Sequence, residues 1–558
     1  MEEANMSKTV LGLNIGHDRS AAIVQDGKLL GALAQERIDR IKHSSGSFLA
    51  FDCINKLLDY LGMTIQDIDC IGFSGAELED ECYMDYILKT LYSHYNCDYI
   101  PSYMIGHHQS HAEAAFSASG FNHALILIAD GGGDYRGELS EAESLFIGKD
   151  SLIQYVDGRY QSPIIRHMSD ECNYLYPRMP KIIQNRELSI SRKYEQITYL
   201  LGFGWGEAGK TMGLASYGKP LMKYDFNNIS GFQYRVNAKD ILNDLYSLEL
   251  LSGHSHLKYL SENGADIART IQEYTEGMFI HLIQELIERY NEHNICLGGG
   301  LFLNCLLNHK LLEQCPIDKL FVFPACGDDG QAIGNAFSAY KKHFGTTKFE
   351  VLLPYLGLSY TDETIELSLK HKGLSYKHYT DQELSIKVAE YIAENKIIGF
   401  HRGRTEIGPR ALCHRSILAN PANPEMKDIL NKRVKHREYF RPFAPTVTYE
   451  SQYEIFELKQ NSPYMLLVAN VKKEYREKLP AITHIDNTAR VQAISLEQEP
   501  FLHAMLLELK KLIGVPVVLN TSFNVAGEPI VETPDDAIQT FLKTEIDILV
   551  VGNFIVTK

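Results

Sequence analysis

The feature that most constrains the fold of this chain is a long-period duplication in its N-terminal half. Each copy has a strand-like segment, a polar loop, and then two further strand-like segments joined by a tight turn. The predicted strands cover residues 9–16, 20–25 and 28–35 in the first copy and residues 125–129, 142–147 and 152–156 in the second. Helical sequence follows each copy, for example over residues 51–61. The duplication predicts two similar lobes with a cleft between their polar loops.

A strand–loop–helix pattern occurs twice further along the chain. Residues 295–297 lead into Gly298-Gly299-Gly300 and a helical pattern over 301–312, and residues 320–323 lead through a loop into a helical pattern over 331–340. This α/β order is typical of segments that bind phosphate groups. A connector with little periodicity follows at 345–357. We therefore expect one α/β domain over residues 1–348 and a second over residues 349–558.

Composition and charge exclude several classes of protein. The 558 residues include 55 Lys and Arg against 71 Asp and Glu, a net charge of −16. That balance argues against a protein that binds nucleic acid or an anionic membrane mainly through bulk charge. The ten cysteines form no CxxC pair, which is typical of reduced thiols and not of a zinc ribbon. With no leader pattern and no apolar stretch of about 18 residues, we expect a cytoplasmic protein.

Two histidines and two aspartates form a candidate metal site. His107 and His111 are four residues apart in a segment of helical composition, so both imidazoles fall on one helix face. Asp130 ends an apolar strand and enters a triple glycine, and Asp328 repeats this arrangement later in the chain. Two imidazoles with two carboxylates suit Fe(II), Mn or Zn. Each aspartate taken alone is also typical of a helix N-cap or a turn.

The remaining candidate ligand-binding residues are suited to phosphate. Gly298–Gly300 allows phosphate oxygens to approach the backbone closely, and Asn304 is placed one turn into the predicted helix, where it can reach a ribose or phosphate. Neither this loop nor the earlier triple glycine at 131–133 matches the pattern GxxxxGK[ST], so we do not expect either loop to be the P-loop of an NTPase.

The C-terminal part carries cations, amides and hydroxyls in contexts unlike a solvated face. They suit a small phosphate or carboxy-phosphate ligand, because the arginine fork binds such oxyanions with two hydrogen bonds. For each arginine taken singly, a structural ion pair in an acidic protein is the alternative. The set consists of Arg410, Lys435, Arg441, Arg490, Asn520 and Ser522.

Taken together, these residues lie in motifs that resemble those of the O-carbamoyltransferases of antibiotic and nodulation-factor biosynthesis, the NodU/CmcH type that includes tobramycin carbamoyltransferase. The resemblance covers nearly the whole chain, through ten ordered motifs: IGHDRSAAI, HHQSHA, LIADGGGD, GKTMGLASYG, GGGLFLN, CGDDGQAIG, GPRALCHRSI, REYFRPFAP, TARVQ and VVLNTSFNVAGEPIV. It implies an N-terminal domain of the actin, sugar-kinase and Hsp70 type, like that of the tRNA threonylcarbamoyl transferase, and a C-terminal YrdC-like domain.

The resemblance also implies a reaction and a set of roles. The C-terminal domain would make carbamoyl adenylate from carbamoyl phosphate and ATP, with Mg²⁺ accompanying the ATP. The N-terminal domain would pass the carbamoyl group to a hydroxyl of a small-molecule acceptor, with no nucleic acid or membrane as partner. The transfer site would bind a divalent metal, with Fe(II) as the favoured ion. The implied roles are metal binding for His107, His111, Asp130 and Asp328; general base for His17; nucleotide binding for Lys210, Gly213, Gly299, Gly300 and Asn304; and phosphate binding for Arg410, Lys435, Arg441, Arg490, Asn520 and Ser522, with Lys42 as a further candidate.

Other functions compete with this interpretation. A sugar-kinase-like phosphotransferase would leave the C-terminal cations without a purpose, and a hydrogenase-maturation carbamoyltransferase would need CxxC pairs that are absent. A non-catalytic sensor of carbamoyl phosphate or nucleotide would have no need of His17 or of a complete metal set. The sequence leaves the acceptor, the identity of the metal and the oligomeric state open.

Overall fold

The protein is described by a computed structural model, and the structure describes residues 7–44, 49–75, 81–136, 139–161, 189–226, 230–232 and 256–558. Contacts between Cα atoms divide the chain into two compact units. The discontinuous unit joins Met1–Asp69 to Glu350–Lys558, and the central unit is Cys70–Phe349. The predicted boundary at 348/349 stays a prediction. In the described part of the chain, no helix has both the length and the apolar character that crossing a bilayer requires.

The strands and helices alternate along most of the chain, so the protein is of mixed α/β class. The strands are β1 Thr9–Ile15, β2 Ser20–Gln25, β3 Lys28–Ala34, β4 Cys70–Gly75, β5 Ser102–Met104, β6 His123–Ala129, β7 Tyr135–Arg136, β8 Leu139–Lys149, β9 Leu152–Gln161, β10 Asn294–Gly298, β11 Lys319–Val322, β12 Lys377–His378, β13 Ile398–His401, β14 Arg415–Ala419, β15 Ala444–Thr448, β16 Phe456–Glu457, β17 Val468–Val471, β18 Thr488–Arg490, β19 Gln492–Ile494, β20 Val517–Ser522, β21 Ile548–Val551 and β22 Phe554–Thr557. The α-helices are α1 Glu36–Asp39, α2 Phe51–Leu61, α3 Glu81–Tyr95, α4 His107–Ser119, α5 Ile190–Leu200, α6 Ala208–Ala215, α7 His256–Tyr290, α8 Cys305–Gln314, α9 Gln331–Phe344, α10 Asp362–His371, α11 Asp381–Ala393, α12 Met426–Leu430, α13 Gln452–Ile455, α14 Lys473–Arg476, α15 Pro500–Ile513 and α16 Pro534–Lys543.

The duplicated meander of the sequence is present in both units. In the discontinuous unit, β1 pairs with β2 and β2 with β3, both antiparallel. In the central unit, β6, β8 and β9 form the corresponding antiparallel series. The second copy has longer strands than predicted. Asp157-Gly158, a turn-like pair in the sequence, lies inside β9, where Gly158 faces Ser144 of β8.

The C-terminal part of the discontinuous unit is built on one large sheet with the order β12-β22-β21-β13-β14-β20-β15-β19. Successive residues of its strands enter opposite cores, because side chains alternate across a sheet. Ile417 belongs to the same core as Ile538 and Phe541 of α16, whereas Leu418 belongs to a second core with Val388 of α11 and Met505 of α15. The sheet is thus buried on both faces.

The central unit carries a sheet with the order β11-β10-β6-β8-β7, and β9 pairs with β8. Strands β6, β10 and β11 are parallel, so their carboxyl ends share one edge. The helix predicted from residue 301 begins only at Cys305, because Gly300–Leu303 forms a 3-10 turn. Asn304 is therefore the N-cap of α8, where its side chain accepts from Leu307 N, and does not lie one turn into the helix as predicted.

Candidate functional site

Four side chains from three segments of the central unit converge on one point. The Nε2 atoms of His107 and His111 lie 3.3 and 3.2 Å from Asp130 Oδ2. They lie 3.5 and 3.2 Å from Asp328 Oδ1. One ligand atom from each of the four residues lies within 4.8 Å of the others. The structure thus brings together the four predicted metal ligands, and two imidazole nitrogens with two carboxylate oxygens fit a divalent cation.

Helix α4 begins at His107, so His107 and His111 lie one turn apart on the same face of its first two turns. Its N-cap, Gly106, has no side chain to accept from the first turn. Asp134 takes that part, since its Oδ2 accepts from His107 N at 2.8 Å. The close packing of α4 on α9 depends on Gly334, where a Cβ would stand 1.9 Å from the carbonyl oxygen of Ser110. This packing fixes the His107 turn of α4 beside the segment that carries Asp328.

The two glycine-rich loops both serve Asp130. Gly131 N and Gly300 N donate to Asp130 Oδ1, at 2.7 and 3.3 Å. Gly299 has a φ of +94°, and a Cβ there would stand 2.3 Å from Ala129 O. Only glycine fits such a turn against the end of β6. The backbone N–H of Gly300, predicted to face phosphate, is used here to hold a carboxylate of the metal site.

Hydrogen bonds within the cluster oppose the effect of burial. Burial lowers the pKa of His111, but its hydrogen bonds to Asp130 and Asp328 outweigh burial and raise the pKa to about 9. The pKa of His107 is also raised, because Asp328 and Asp130 outweigh the desolvation that lowers it. Burial would raise the pKa of Asp130, yet the hydrogen bonds from the two histidines hold it well below its ordinary value. The cluster thus balances its own charges as two pairs of imidazolium and carboxylate. A divalent cation bound by neutral imidazoles and the same two carboxylates would keep that balance.

Gln331 is a member of this site that sequence reasoning missed. Its Nε2 lies 3.0 Å from the Nε2 atoms of His107 and His111 and 3.1 Å from Asp328 Oδ1. Its Oε1 accepts from Ser74 Oγ at 2.5 Å, which fixes the direction of the amide. The signal in the sequence is weak: Gln331 follows Asp328 by three residues and so lies one helical turn away.

Three of the predicted nucleotide-binding residues, Lys210, Gly213 and Asn304, lie on or at the start of helices packed around α7. Helix α7 packs on α6, which carries Lys210 and Gly213, and on α8, which Asn304 caps. Lys210 Nζ lies 2.6 Å from Glu207 Oε1. Asn304 Nδ2 donates to Gln272 Oε1 of α7 at 2.8 Å, and its Oδ1 accepts from Leu307 N at 3.1 Å. Asn304 is thus engaged within the protein, and the nucleotide contacts stay a prediction.

A cluster of cations in the discontinuous unit contains three of the predicted phosphate-binding residues, Lys435, Arg441 and Arg490. Lys435 ends the π-helical segment Asn431–Lys435 and is 4% exposed. Its Nζ donates to the carbonyl oxygens of Ser522 and Asn524, at 2.5 and 2.9 Å. Burial lowers the pKa of Lys435 well below its ordinary value, and the charges of Arg437 and Arg441 act in the same direction. These contacts surround a buried ammonium group with neutral acceptors and other cations.

Arg437 belongs to this cluster and was not predicted. Its guanidinium stacks on the ring of Phe443, 4.5 Å from the centroid. Burial lowers its pKa to about 9, and the charges of Arg441 and Arg490 add to the effect. The carboxylate of Glu438 offsets part of this positive charge, with its Oε2 3.8 Å from Arg441 Nη1. We call Lys435, Arg437, Arg441 and Arg490 the cation cluster.

Strand β20 places Asn520 and Ser522 on one face of the large sheet, because they are two residues apart. Ser522 contacts Lys435 through its carbonyl oxygen. Asn520 Nδ2 lies 3.1 Å from Ala411 O and 3.1 Å from Gln492 Oε1, and it is 1% exposed. Asn520 therefore faces the segment in which Arg410 precedes Ala411. The phosphate-binding role of these residues stays a prediction.

His17, the predicted general base, lies in the discontinuous unit at the end of β1. Its Nδ1 lies 2.9 Å from Asp18 Oδ2, and its side chain is 40% exposed. Asp18 also contacts His43, a residue that sequence reasoning missed, at 2.8 Å from Oδ1 to Nδ1. Lys42 is exposed beside His43, and its contact with phosphate stays a prediction. A carboxylate beside an imidazole is the arrangement that orients a histidine base.

Comparisons with known proteins give one consistent family. The model of the carbamoyltransferase N-terminus matches residues 74–337, and that of the carbamoyltransferase C-terminus matches residues 389–558. Nodulation protein NolNO of Sinorhizobium fredii is 33% identical over 97% of this chain and 79% of its own length. An uncharacterized protein of Synechocystis sp. is 33% identical over 97% of this chain and 95% of its own. Among solved structures, full-length HypF in its phosphate- and nucleotide-bound form covers 62% of this chain and 56% of its own at 13% identity, with a TM-score of 0.42 that supports no functional conclusion.

Proposed function

The chain belongs to the carbamoyltransferase family, and from this premise we propose that it is an ATP-dependent O-carbamoyltransferase. In this proposal it makes carbamoyl adenylate from carbamoyl phosphate and ATP, and it then carbamoylates a hydroxyl of a small natural-product or sugar acceptor. The proposal assigns an actin-like fold to the N-terminal part of the chain and a YrdC-like fold to the C-terminal part. The duplicated meander supports the first assignment.

The cation cluster is the observation that carries the proposal. The chain as a whole has a net charge of −16, so four neighbouring cations faced by Glu438 are unusual in it. Arg490 Nε is buried without a hydrogen-bond partner among the described residues, and Lys435 is held by uncharged oxygens. Buried cations without matching anions are costly. A phosphate or carboxy-phosphate ligand would supply the missing charge and the bidentate acceptors that guanidinium groups bind.

The first half-reaction balances with the release of one phosphate and one pyrophosphate. Water releases phosphate from carbamoyl phosphate, and an oxygen of the resulting carbamate attacks the α-phosphorus of ATP. The bond from that phosphorus to the bridging oxygen breaks, and pyrophosphate leaves with Mg²⁺. The cation cluster would hold the phosphate oxygens during this exchange, with Ser522 and Asn520 orienting the carbamoyl end.

The second half-reaction transfers the carbamoyl group to the acceptor hydroxyl. His17 takes the hydroxyl proton, the oxygen of the acceptor forms a bond to the carbamoyl carbon, and AMP leaves as the bond from that carbon to the phosphate oxygen breaks. Asp18 holds the Nδ1 edge of His17, so that the Nε2 edge is the one presented to the proton.

The four-residue site of the central unit would hold the divalent metal. His107 and His111 would offer Nε2 and the two aspartates one oxygen each, and Gln331 would orient Asp328. When bound, the metal supplies Lewis-acid stabilisation of the negative charge that develops in transfer. A mixed imidazole and carboxylate set suits Fe(II), Mn or Zn, and of these we propose Fe(II), which the resemblance to the O-carbamoyltransferases implies.

Pyrophosphate release tests the proposal without knowledge of the acceptor. Purified protein given ATP and Mg²⁺ should release pyrophosphate and phosphate only when carbamoyl phosphate is added. Lys435→Met should lower that rate by at least about tenfold, as expected for the loss of a charge-assisted contact worth about 1.5–3 kcal/mol. Lys432→Met is the matched control, since Lys432 is exposed three residues earlier, and it should leave the rate unchanged. Release that does not depend on carbamoyl phosphate, or a wild-type protein that binds carbamoyl phosphate without releasing pyrophosphate, would refute the adenylating function.

A further inference from the structure

The carboxylate of Asp18 joins two imidazoles. Its Oδ2 lies 2.9 Å from His17 Nδ1, and its Oδ1 lies 2.8 Å from His43 Nδ1. The same edge of each ring therefore faces the carboxylate, one ring on each oxygen. The side chain of His17 is 40% exposed and that of His43 is 27% exposed, with Asp18 at 17% between them. His43, the more buried imidazole, thus contacts the same carboxylate that contacts the more exposed His17.

The backbone around this arrangement is fixed at both ends. Asp18 has a φ of 52°, in the left-handed region, and Asn14 Nδ2 donates to its carbonyl oxygen and to that of His17, both at 3.1 Å. His43 also has a left-handed φ, of 58°, and its N donates to Glu36 Oε2 at 3.0 Å. Left-handed conformations are costly for residues with a side chain and persist where contacts determine them.

We propose that His43 is a positioning residue of the transfer site, which acts through Asp18 on the protonation and orientation of His17. The inference rests on the proposed role of His17 as general base. By donating to one carboxylate oxygen, His43 shares the negative charge that Asp18 presents to His17. That sharing keeps His17 oriented through Nδ1 without making its imidazolium so stable that it ceases to be a base near neutral pH.

The charged groups around His43 favour the protonated form of its imidazole. Burial lowers the pKa of His43, but the hydrogen bond to Asp18 and its charge outweigh burial and raise it above its ordinary value. Glu36 acts in the same direction and Lys42 acts against it. Ser44, the residue after His43, accepts from Arg19 and donates to Asp39, a pair of opposite charge whose side chains are 3.7 Å apart.

Histidine NMR on the full chain tests the inference. Protein labelled with [¹³Cε1]histidine is titrated, and the His17 signal is identified by its loss in His17→Gln. In His43→Ala, Asp18 acts on His17 alone, so the titration midpoint of His17 should rise by about half a pH unit or more. His43→Asn keeps a donor near Nδ1 and should give a smaller rise. His378→Ala is the matched control, because exposed His378 pairs with Asp362 at 3.0 Å elsewhere in the same unit, and it should leave the midpoint unchanged.

The outcomes separate this inference from the proposed function. A lower melting temperature in both His43 variants with an unmoved His17 midpoint would show a structural role and overturn the inference. If His43→Ala does not fold, the result for His43→Asn decides. Pyrophosphate release with ATP and carbamoyl phosphate is measured in parallel and should be unchanged in both variants. Absence of that release in the wild type refutes the adenylating function, while the His17 midpoint still reports on the coupling through Asp18.

Discussion

At the scale of single residues, Gln331 shows how a neutral side chain completes a charged site. Its amide is fixed by Ser74, and its nitrogen faces both histidines and Asp328. Residues that orient ligands in this way typically change metal affinity by about 10- to 100-fold. We therefore expect Gln331→Ala to weaken binding of Fe(II) or Mn(II) by about that factor, measured by competition with a chelator in the absence of oxygen.

The control for Gln331 lies on the preceding helix. Gln314 is exposed at the end of α8, so Gln314→Ala should bind metal as the wild type does. Equal affinity in Gln331→Ala and Gln314→Ala would show that the four predicted ligands hold their positions without Gln331.

The site residues fall into two groups, according to how far apart in the sequence the residues that contact each other lie. The i, i+4 spacing of His107 and His111 and the glycine context of Asp130 are local, so the sequence alone predicts that they serve one site. Gln331 meets Ser74 across 257 residues and His43 meets Asp18 across 25. No periodicity or motif connects such pairs, and tertiary packing alone makes them neighbours. Arg437 is missed for a different reason: no sequence signal separates it from the other cations of the basic run at 432–441, and its stacking on Phe443 is a tertiary contact.

At the scale of elements, the approach of α4 to α9 determines the geometry of the metal site. A Cβ at Gly334 would stand 1.9 Å from Ser110 O, so one helix must move. We expect Gly334→Ala to destabilise the protein by about 1–3 kcal/mol, as overpacking of a buried contact does, and to weaken metal binding as well. Urea unfolding and metal competition measure the two effects. Gly209→Ala on α6, where a Cβ meets nothing within 4 Å, should lose neither stability nor affinity.

Element boundaries were predictable where a single strong signal marks them. Helix α2 and strand β2 have the predicted bounds, because a clear apolar period is flanked by turn residues. The helix after the triple glycine was misplaced, since the Asn304 cap competes with the apolar residues that precede it. Strand β9 extends beyond the predicted end at residue 156, because its pairing with β8 continues through Asp157-Gly158, a pair that favours a turn in isolation.

At the scale of the whole molecule, the contrast between an acidic chain and its cation cluster predicts how stability responds to anions. Burial depresses the pKa of Lys435 in the folded state. The free energy of unfolding therefore decreases as the pH falls below about 10.4, the pKa of an unfolded lysine, and the full cost is reached below the depressed pKa. An anion bound at the cluster offsets that cost and adds binding free energy, about 2.7 kcal/mol at a concentration 100 times its Kd. We therefore expect pyrophosphate to raise the melting temperature in a saturable way, with chloride at equal ionic strength as the control. Lys435→Met should lose most of the rise and Lys432→Met none. A rise that chloride reproduces would reflect general screening of the −16 charge, and would show that the cluster is not a specific anion site.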